Sequence, residues 1–127
     1  MNIELEKNKK IYFVSDAHLG LPPKDKSLER EKLLVEWLEV VRKDAHSIYF
    51  VGDIFDYWFE YKKVVPRGFV RFLGKIAELT DNGIPIYFFT GNHDVWIFDY
   101  LPDEVGITVF RHPITRAFNG TNFYFAH

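Results

Sequence analysis

Residues 11–18 read IYFVSDAH, a run of β-branched and aromatic residues that stops abruptly at an aspartate and a histidine. The same pattern returns as SIYFVGD at residues 47–53 and as IPIYFFTGNHD at residues 84–94. Short apolar runs bounded by turn residues are typical of buried strands. Each stretch therefore predicts a strand whose carboxyl end carries polar side chains.

Helical periodicity separates these predicted strands. Ser27 is placed to cap a first helix that runs to about Lys43, and Pro66 to open a second helix that Asn82-Gly83 closes. Parallel strands need a long crossover connection, and a helix is the usual one. The β-α-β-α-β order therefore predicts a parallel sheet with right-handed crossovers.

The last third of the chain is rich in short strands. The segments GITVF, ITRAF and NFYFA are predicted strands, and the last two flank Asn119-Gly120. Asn-Gly between apolar runs is a strong signal for a two-residue hairpin turn. The predicted fold is thus α/β, one unit over residues 1–127, ending in a β-hairpin.

Composition limits the classes of partner. The chain has 127 residues, 47% of them apolar, which suits one globular domain. A net charge of -2 without a long basic run argues against a nucleic-acid partner. No signal peptide or membrane-spanning run is evident in the sequence, so the cytoplasm is the expected location.

Polar side chains follow all three predicted strands. Asp16 and His18 come after the first strand, Asp53 and Asp56 after the second, and residues 91–94 (GNHD) after the third. The carboxyl ends of parallel strands share one edge of a sheet, so we expect these side chains to converge. Each motif alone is typical of a surface turn, whereas the repetition favours a common site.

The residue types favour a metal site. Burying several carboxylates and imidazoles together is costly unless a cation compensates them. The chain has no cysteine, so the ligands would be oxygen and imidazole nitrogen, which suit Mn, Fe or Zn. A two-metal site needs one bridging carboxylate, for which Asp53 is the candidate.

The three motifs together resemble the first signature blocks of the calcineurin-like metallophosphoesterases. FVSDAHLG, YFVGDIFDYWFEY and FFTGNHDVW are most similar to the UDP-2,3-diacylglucosamine hydrolases of Bacteroides-like bacteria. The resemblance implies a metallophosphoesterase-like αββα sandwich. It also implies that this chain holds only the N-terminal part of that sandwich.

The resemblance implies two divalent metal ions, with Mn²⁺ first and Zn²⁺ or Fe as alternatives. It assigns Asp16 and His18 to the first ion, Asp53 to a position bridging both ions, and Asn92 and His127 to the second ion. It leaves the substrate-binding residues unknown.

Catalytic roles are also implied by the resemblance. His93 would face the phosphate, Asp94 would orient His93, and Asp56 would fix a ligand or its loop.

Many relatives carry Arg after the asparagine, so His93 is a departure from their pattern. A second departure is the family's late Gly-His-x-His block, which would follow His127. We therefore expect this chain to bind metal weakly, to have little activity, and to self-associate through unpaired strands.

The implied activity is hydrolysis of the pyrophosphate of UDP-2,3-diacylglucosamine to UMP and lipid X, by a hydroxide that two metals activate. The partner would be a nucleotide-sugar lipid, with peripheral association at the inner membrane. The alternatives are a general phosphodiesterase, a Ser/Thr-type protein phosphatase, or a non-catalytic binding module. The stretch IFDYWFEY (residues 54–61) either packs on the sheet or lines an acyl-chain or nucleobase pocket.

Overall fold

Two β-sheets and the helices between their strands make up the described part of the chain. The computed structural model describes residues 2–58, 66–90 and 100–125. Within these ranges the elements, in chain order, are β1 (Asn2–Ile3), β2 (Lys10–Val14), α1 (Lys24–Val41), β3 (Ala45–Val51), α2 (Val70–Asp81), β4 (Ile86–Phe89), α3 (Tyr100–Val105), β5 (Thr108–Phe110), β6 (Ile114–Phe118) and β7 (Thr121–Phe125).

The larger sheet has the strand order β2-β3-β4-β5, and all its neighbouring strands are parallel. Phe13 lies opposite Tyr49, and Tyr49 lies opposite Tyr87. This arrangement confirms the parallel sheet that the alternation of apolar runs and helices predicts. It also places the ends of β2 and β3 side by side.

Successive side chains of β3 point to opposite faces of this sheet, so they contribute to two separate parts of the core. Ile48 and Phe50 pack in the same cluster as Leu38 of α1 and Phe72 of α2. Tyr49, which is fully buried, belongs to a separate aromatic cluster on the other face. The helices therefore cover one face only. In the described part of the chain, none of these helices is both long and apolar enough to cross a membrane.

The smaller sheet covers the opposite face, with the order β1-β6-β7. Its residues Phe118 and Phe125 share the aromatic cluster with Tyr49 and Phe89. The rings of Tyr49 and Phe125 are stacked, with centroids 4.9 Å apart. Helix, sheet and second sheet thus form layers consistent with the expected sandwich.

The predicted hairpin is confirmed. β6 and β7 are antiparallel, with Phe118 opposite Thr121 and two residues between them. Asn119 has a φ of 51° and Gly120 a φ of 84°. A two-residue turn with positive φ at both positions matches the right-handed twist of the strands and requires residues such as Asn and Gly.

Both predicted helix starts are wrong. α1 begins at Lys24 with Pro23 at the N-cap, and it ends at Val41 rather than about Lys43. Ser27 lies inside the helix, where its hydroxyl accepts a hydrogen bond from the Gly20 amide at 2.6 Å. The Ser27 side chain is therefore hydrogen-bonded to the loop that contains Gly20 and does not cap its own helix.

The second helix begins at Val70, four residues after Pro66, and its N-cap residue Phe69 makes no side-chain cap. The cap comes from α1 instead: Glu31 is 6% exposed, and its Oε2 accepts the Phe72 amide at 3.0 Å. Amides in the first turn of a helix lack intrahelical partners, so this buried carboxylate fixes where α2 starts.

Candidate metal centre

The loops that follow β2 and β3 are joined by backbone hydrogen bonds. The Asp16 amide donates to the Gly52 carbonyl at 3.2 Å, and the His18 amide donates to the Asp53 carbonyl at 3.0 Å. A parallel bridge between Leu19 and Phe55 extends this pairing. The two loops therefore continue the sheet past the ends of its strands, which holds their side chains at one edge.

Asp16, His18 and Asp53 converge at this edge, as the sequence predicts. One ligand atom from each of the three side chains lies within 4.8 Å of the others. Asp53 is only 5% exposed, whereas the Asp16 side chain is 56% exposed. The group is therefore anchored on a buried carboxylate and open to solvent on the Asp16 side.

All three residues have left-handed backbone conformations. The φ angles are 56° for Asp16, 45° for His18 and 53° for Asp53. L residues with side chains rarely adopt positive φ, and such conformations persist only where the surroundings enforce them. The inter-loop hydrogen bonds link these residues and stabilise the conformations in which the three side chains come together.

The His18 imidazole lies between two carboxylates. Its Nε2 is 3.7 Å from an oxygen of Asp16, and its Nδ1 is 3.6 Å from an oxygen of Asp56. Both distances are longer than a hydrogen bond, so the contacts are electrostatic. Asp56 thus lies on the far side of the imidazole, where a residue that orients a metal ligand belongs.

The donor set suits a divalent metal. Two carboxylates and an imidazole, with no sulfur, are the ligands of hard or borderline ions such as Mn²⁺, Fe²⁺ and Zn²⁺. A buried carboxylate such as Asp53 is costly without cationic compensation. The residues therefore fit the first ion that the family pattern implies.

The other predicted site residues lie outside the described residues. These are Asn92, His93, Asp94 and His127. Their assigned roles stay predictions.

Two polar residues of α1 also belong to the site, and the sequence reasoning missed them. Ser27 accepts the Gly20 amide, and Arg30 donates from Nη2 to the carbonyls of His18 and Leu21. The signal that could have found Ser27 is positional, whereas Arg30 lies off the buried stripe and reaches the loop only through tertiary contacts. Ser27 and Glu31 continue the buried stripe formed by Leu34 and Leu38, so the core-facing side of α1 turns polar where it meets the loops.

Aromatic residues after Asp53 pack inside the protein. Phe55 and Trp58 are both fully buried, and their ring centroids are 4.6 Å apart. For these two residues the packing interpretation is confirmed. An open groove of about 600 Å³ is lined by Asp56 and Tyr57, by residues at the start of α1 and by residues that lead into α2.

Comparison with known proteins shows which family this chain belongs to. The profile of the calcineurin-like phosphoesterases matches residues 9–127. The chain is 57% identical over 118 residues to the UDP-2,3-diacylglucosamine hydrolase of Porphyromonas gingivalis, an alignment that covers 93% of this chain and 45% of the relative.

More distant relatives carry the same name. The chain is 28% identical over 115 residues to the UDP-2,3-diacylglucosamine hydrolase of Vibrio parahaemolyticus, covering 91% of this chain and 46% of that protein. It is 31% identical over 102 residues to that of Neisseria meningitidis serogroup B, covering 80% and 40%. The chain spans about half the length of these curated relatives. The family match over nearly the whole chain, together with the grouped side chains of Asp16, His18 and Asp53, identifies this chain as a member of the calcineurin-like phosphoesterase family.

Proposed function

We propose that this chain carries the first metal-binding half of a phosphoesterase active site. The observation that carries the proposal is the convergence of Asp16, His18 and Asp53 at the carboxyl edge of a parallel sheet. In this proposal Asp16 and His18 bind one ion, Asp53 bridges to a second ion, and Asn92 and His127 complete the second. We propose Mn²⁺ for both positions, since the ligands are carboxylate, imidazole and amide.

The burial pattern supports the bridging role of Asp53. Asp53 is 5% exposed while the Asp16 side chain is 56% exposed, so Asp53 is the more buried carboxylate and the one for which compensation by cations matters most. Divalent ions bound there would neutralise phosphoryl oxygens and lower the pKa of a water molecule. His18 would be held by Asp56, so that its Nε2 faces the metal position. His93 would protonate the leaving group or stabilise charge, with Asp94 orienting it.

We propose that the substrate is UDP-2,3-diacylglucosamine, whose pyrophosphate would be cut to give UMP and lipid X. The relative from Porphyromonas gingivalis bears the name of that hydrolase and is 57% identical to this chain. Because the alignment covers 45% of that relative, we further propose that the chain is the N-terminal part of a longer domain.

Location and assembly follow as secondary proposals. A nucleotide-sugar lipid substrate would place the protein in the cytoplasm, peripherally at the inner membrane. Self-association is supported by β7, an edge strand whose Phe123 and Tyr124 are 38% and 70% exposed.

A chimera tests the substrate proposal. Residues 1–127 replace the matching part of the Porphyromonas gingivalis relative, and UMP release from UDP-2,3-diacylglucosamine is measured with Mn²⁺. We expect turnover that Asp53→Asn abolishes, while Asp103→Asn, an exposed aspartate in α3, has no effect. A folded chimera that cleaves a simple phosphodiester or a phosphoprotein, but not the sugar-lipid, would instead support the broader hydrolase alternatives. Absence of turnover on every ester would favour a binding module.

A further inference from the structure

Two side chains of α1 hold the loop that presents His18. Arg30 donates from Nη2 to the His18 carbonyl at 3.2 Å and to the Leu21 carbonyl at 2.9 Å. One helical turn earlier, the Ser27 hydroxyl accepts the Gly20 amide at 2.6 Å. Residues three apart share a helix face, so both side chains reach the same loop.

The loop needs such support. His18 has a φ of 45° and Gly20 a φ of 98°, so the chain turns through left-handed conformations on both sides of Leu19. Leu19 itself is tied to the loop after β3, because its amide donates to the Ile54 carbonyl and its carbonyl accepts the Asp56 amide. The His18 carbonyl already accepts the Leu21 amide at 3.1 Å, which closes a turn, and Arg30 adds a second link by donating to the carbonyls of both residues.

Arg30 is partly buried at this position. Its Nε is buried and has no hydrogen-bond partner among the described residues. Leaving a buried donor unpaired is unfavourable, so the orientation of the guanidinium is set by the two carbonyls and by packing. Both bonds come from one nitrogen, Nη2, whose two N–H directions are fixed by the planar guanidinium, whereas a lysine ammonium on its flexible stem is not oriented in this way.

We propose that Arg30 is a positioning residue for His18: by clamping the His18 and Leu21 carbonyls, it keeps the imidazole with Nε2 toward Asp16 and Nδ1 toward Asp56. The proposal rests on the proposed function only where metal binding is measured. The imidazole orientation itself is a property of the metal-free chain.

NMR of the metal-free 127-residue chain is the primary test. In Arg30→Met we expect the amides of Gly20 and Leu21 to exchange at least about tenfold faster, and the side-chain couplings of His18 to average between rotamers. Arg42→Met is the matched control, since Arg42 lies at the C-terminal end of α1 and forms ion pairs with Glu39 and Glu78, away from the His18 loop. His18 couplings that stay at the wild-type values in Arg30→Met would overturn the proposal.

A second variant covers the case in which Arg30→Met fails to fold. Arg30→Lys keeps the charge and most of the apolar stem but loses the planar guanidinium group. We expect the same changes at Gly20 and His18 to a smaller degree. A folded Arg30→Lys chain with wild-type couplings and exchange rates would also overturn the proposal.

Titration with Mn²⁺, followed as paramagnetic broadening of the His18 ring protons, is the second arm. We expect the Mn²⁺ concentration for half-maximal broadening to rise about tenfold in Arg30→Met, as is usual when a residue that orients a ligand is removed, and to stay unchanged in Arg42→Met. If Arg30→Met and Arg42→Met lose the same stability and both keep the wild-type Mn²⁺ midpoint, Arg30 contributes only to stability and the proposal is overturned. No broadening in the wild-type chain would instead contradict the proposed metal function, and the His18 couplings would still decide the role of Arg30.

Discussion

The imidazole of His18 lies between two carboxylates, with Nε2 3.7 Å from Asp16 and Nδ1 3.6 Å from Asp56. Neutral imidazole has one nitrogen that carries a proton and one that offers a lone pair. With a cation at the metal position, a carboxylate beside Nδ1 favours the proton there, and the Nε2 lone pair then faces the cation. We therefore expect Asp56 to act on the proposed site through His18.

Asp56→Asn tests this relationship. The substitution keeps the size of the side chain and removes its charge, so the preference for a proton on Nδ1 weakens. We expect about tenfold weaker Mn²⁺ binding with little change in unfolding free energy. Paramagnetic broadening and urea denaturation on the same samples measure both quantities. Unchanged Mn²⁺ binding would limit Asp56 to a structural role.

Glu31→Leu tests the long-range cap of α2. Glu31 accepts the Phe72 amide at 3.0 Å, and α2 has no side-chain cap of its own. Losing this buried, charge-assisted hydrogen bond is expected to lower the unfolding free energy by about 2 kcal/mol. Urea denaturation measures the loss. Glu36→Leu, at an exposed position of the same helix, is the control and is expected to stay within about 0.5 kcal/mol of wild type.

Replacement of two glycines by alanine should change the stability of the fold in opposite directions. Gly74 lies inside α2, and apart from its chain neighbours and the nearby helix backbone no described atom lies within 4 Å of the position that an alanine methyl group would take, so Gly74→Ala is expected to stabilise by about 0.5 to 1 kcal/mol. Gly106 has a φ of 77°, and a methyl group there would lie 2.9 Å from Thr80 Oγ1. That hydroxyl donates to the Val105 carbonyl, so Gly106→Ala is expected to destabilise. Thermal unfolding of the two variants under identical conditions would contradict this account if both shifted in the same direction.

A network of four charges links α1 and α2 and predicts a pH dependence. Hydrogen bonds from Lys75 and Arg42 hold the pKa values of Glu39 and Glu78 below their ordinary value. A carboxyl whose folded pKa is depressed stabilises the fold above its unfolded pKa, about 4.3, and loses that contribution as the pH falls through the folded pKa.

Glu78→Gln removes part of this dependence. We expect wild type to lose more stability than Glu78→Gln between pH 6 and about pH 3, with a difference that shrinks in high salt because the groups are exposed. Urea midpoints at each pH measure it. Parallel pH profiles for the two chains would refute the assigned role of the network.

The sequence predicted the parts of the fold that local pattern determines. Apolar runs ending at Ser15, Val51 and Phe89 were sufficient for a parallel sheet, because strands joined by helices have few other arrangements. Convergence of Asp16, His18 and Asp53 followed from that topology. The Asn119-Gly120 turn followed from its chemistry, since few other residue pairs tolerate its backbone angles.

The elements that were missed depend on contacts distant in sequence. α2 starts at Val70 because Glu31, far away on α1, caps it, and no local signal near Pro66 reveals that contact. β1 is a strand only because Asn2 and Ile3 pair with Ala117 and Phe118. Arg30 likewise reaches the site through tertiary contacts, so its role was not evident from the motifs alone.

Mn²⁺ titration of the 127-residue chain, followed residue by residue by NMR, is a direct test of the proposed metal site formed by Asp16, His18 and Asp53. We expect broadening to begin at Asp16, His18 and Asp53, and we expect Asp53→Asn to raise the required Mn²⁺ concentration by about a hundredfold while Asp103→Asn leaves it unchanged. Broadening centred on other carboxylates, or an identical titration of the Asp53→Asn chain, would contradict the assignment of a metal site to this edge of the sheet.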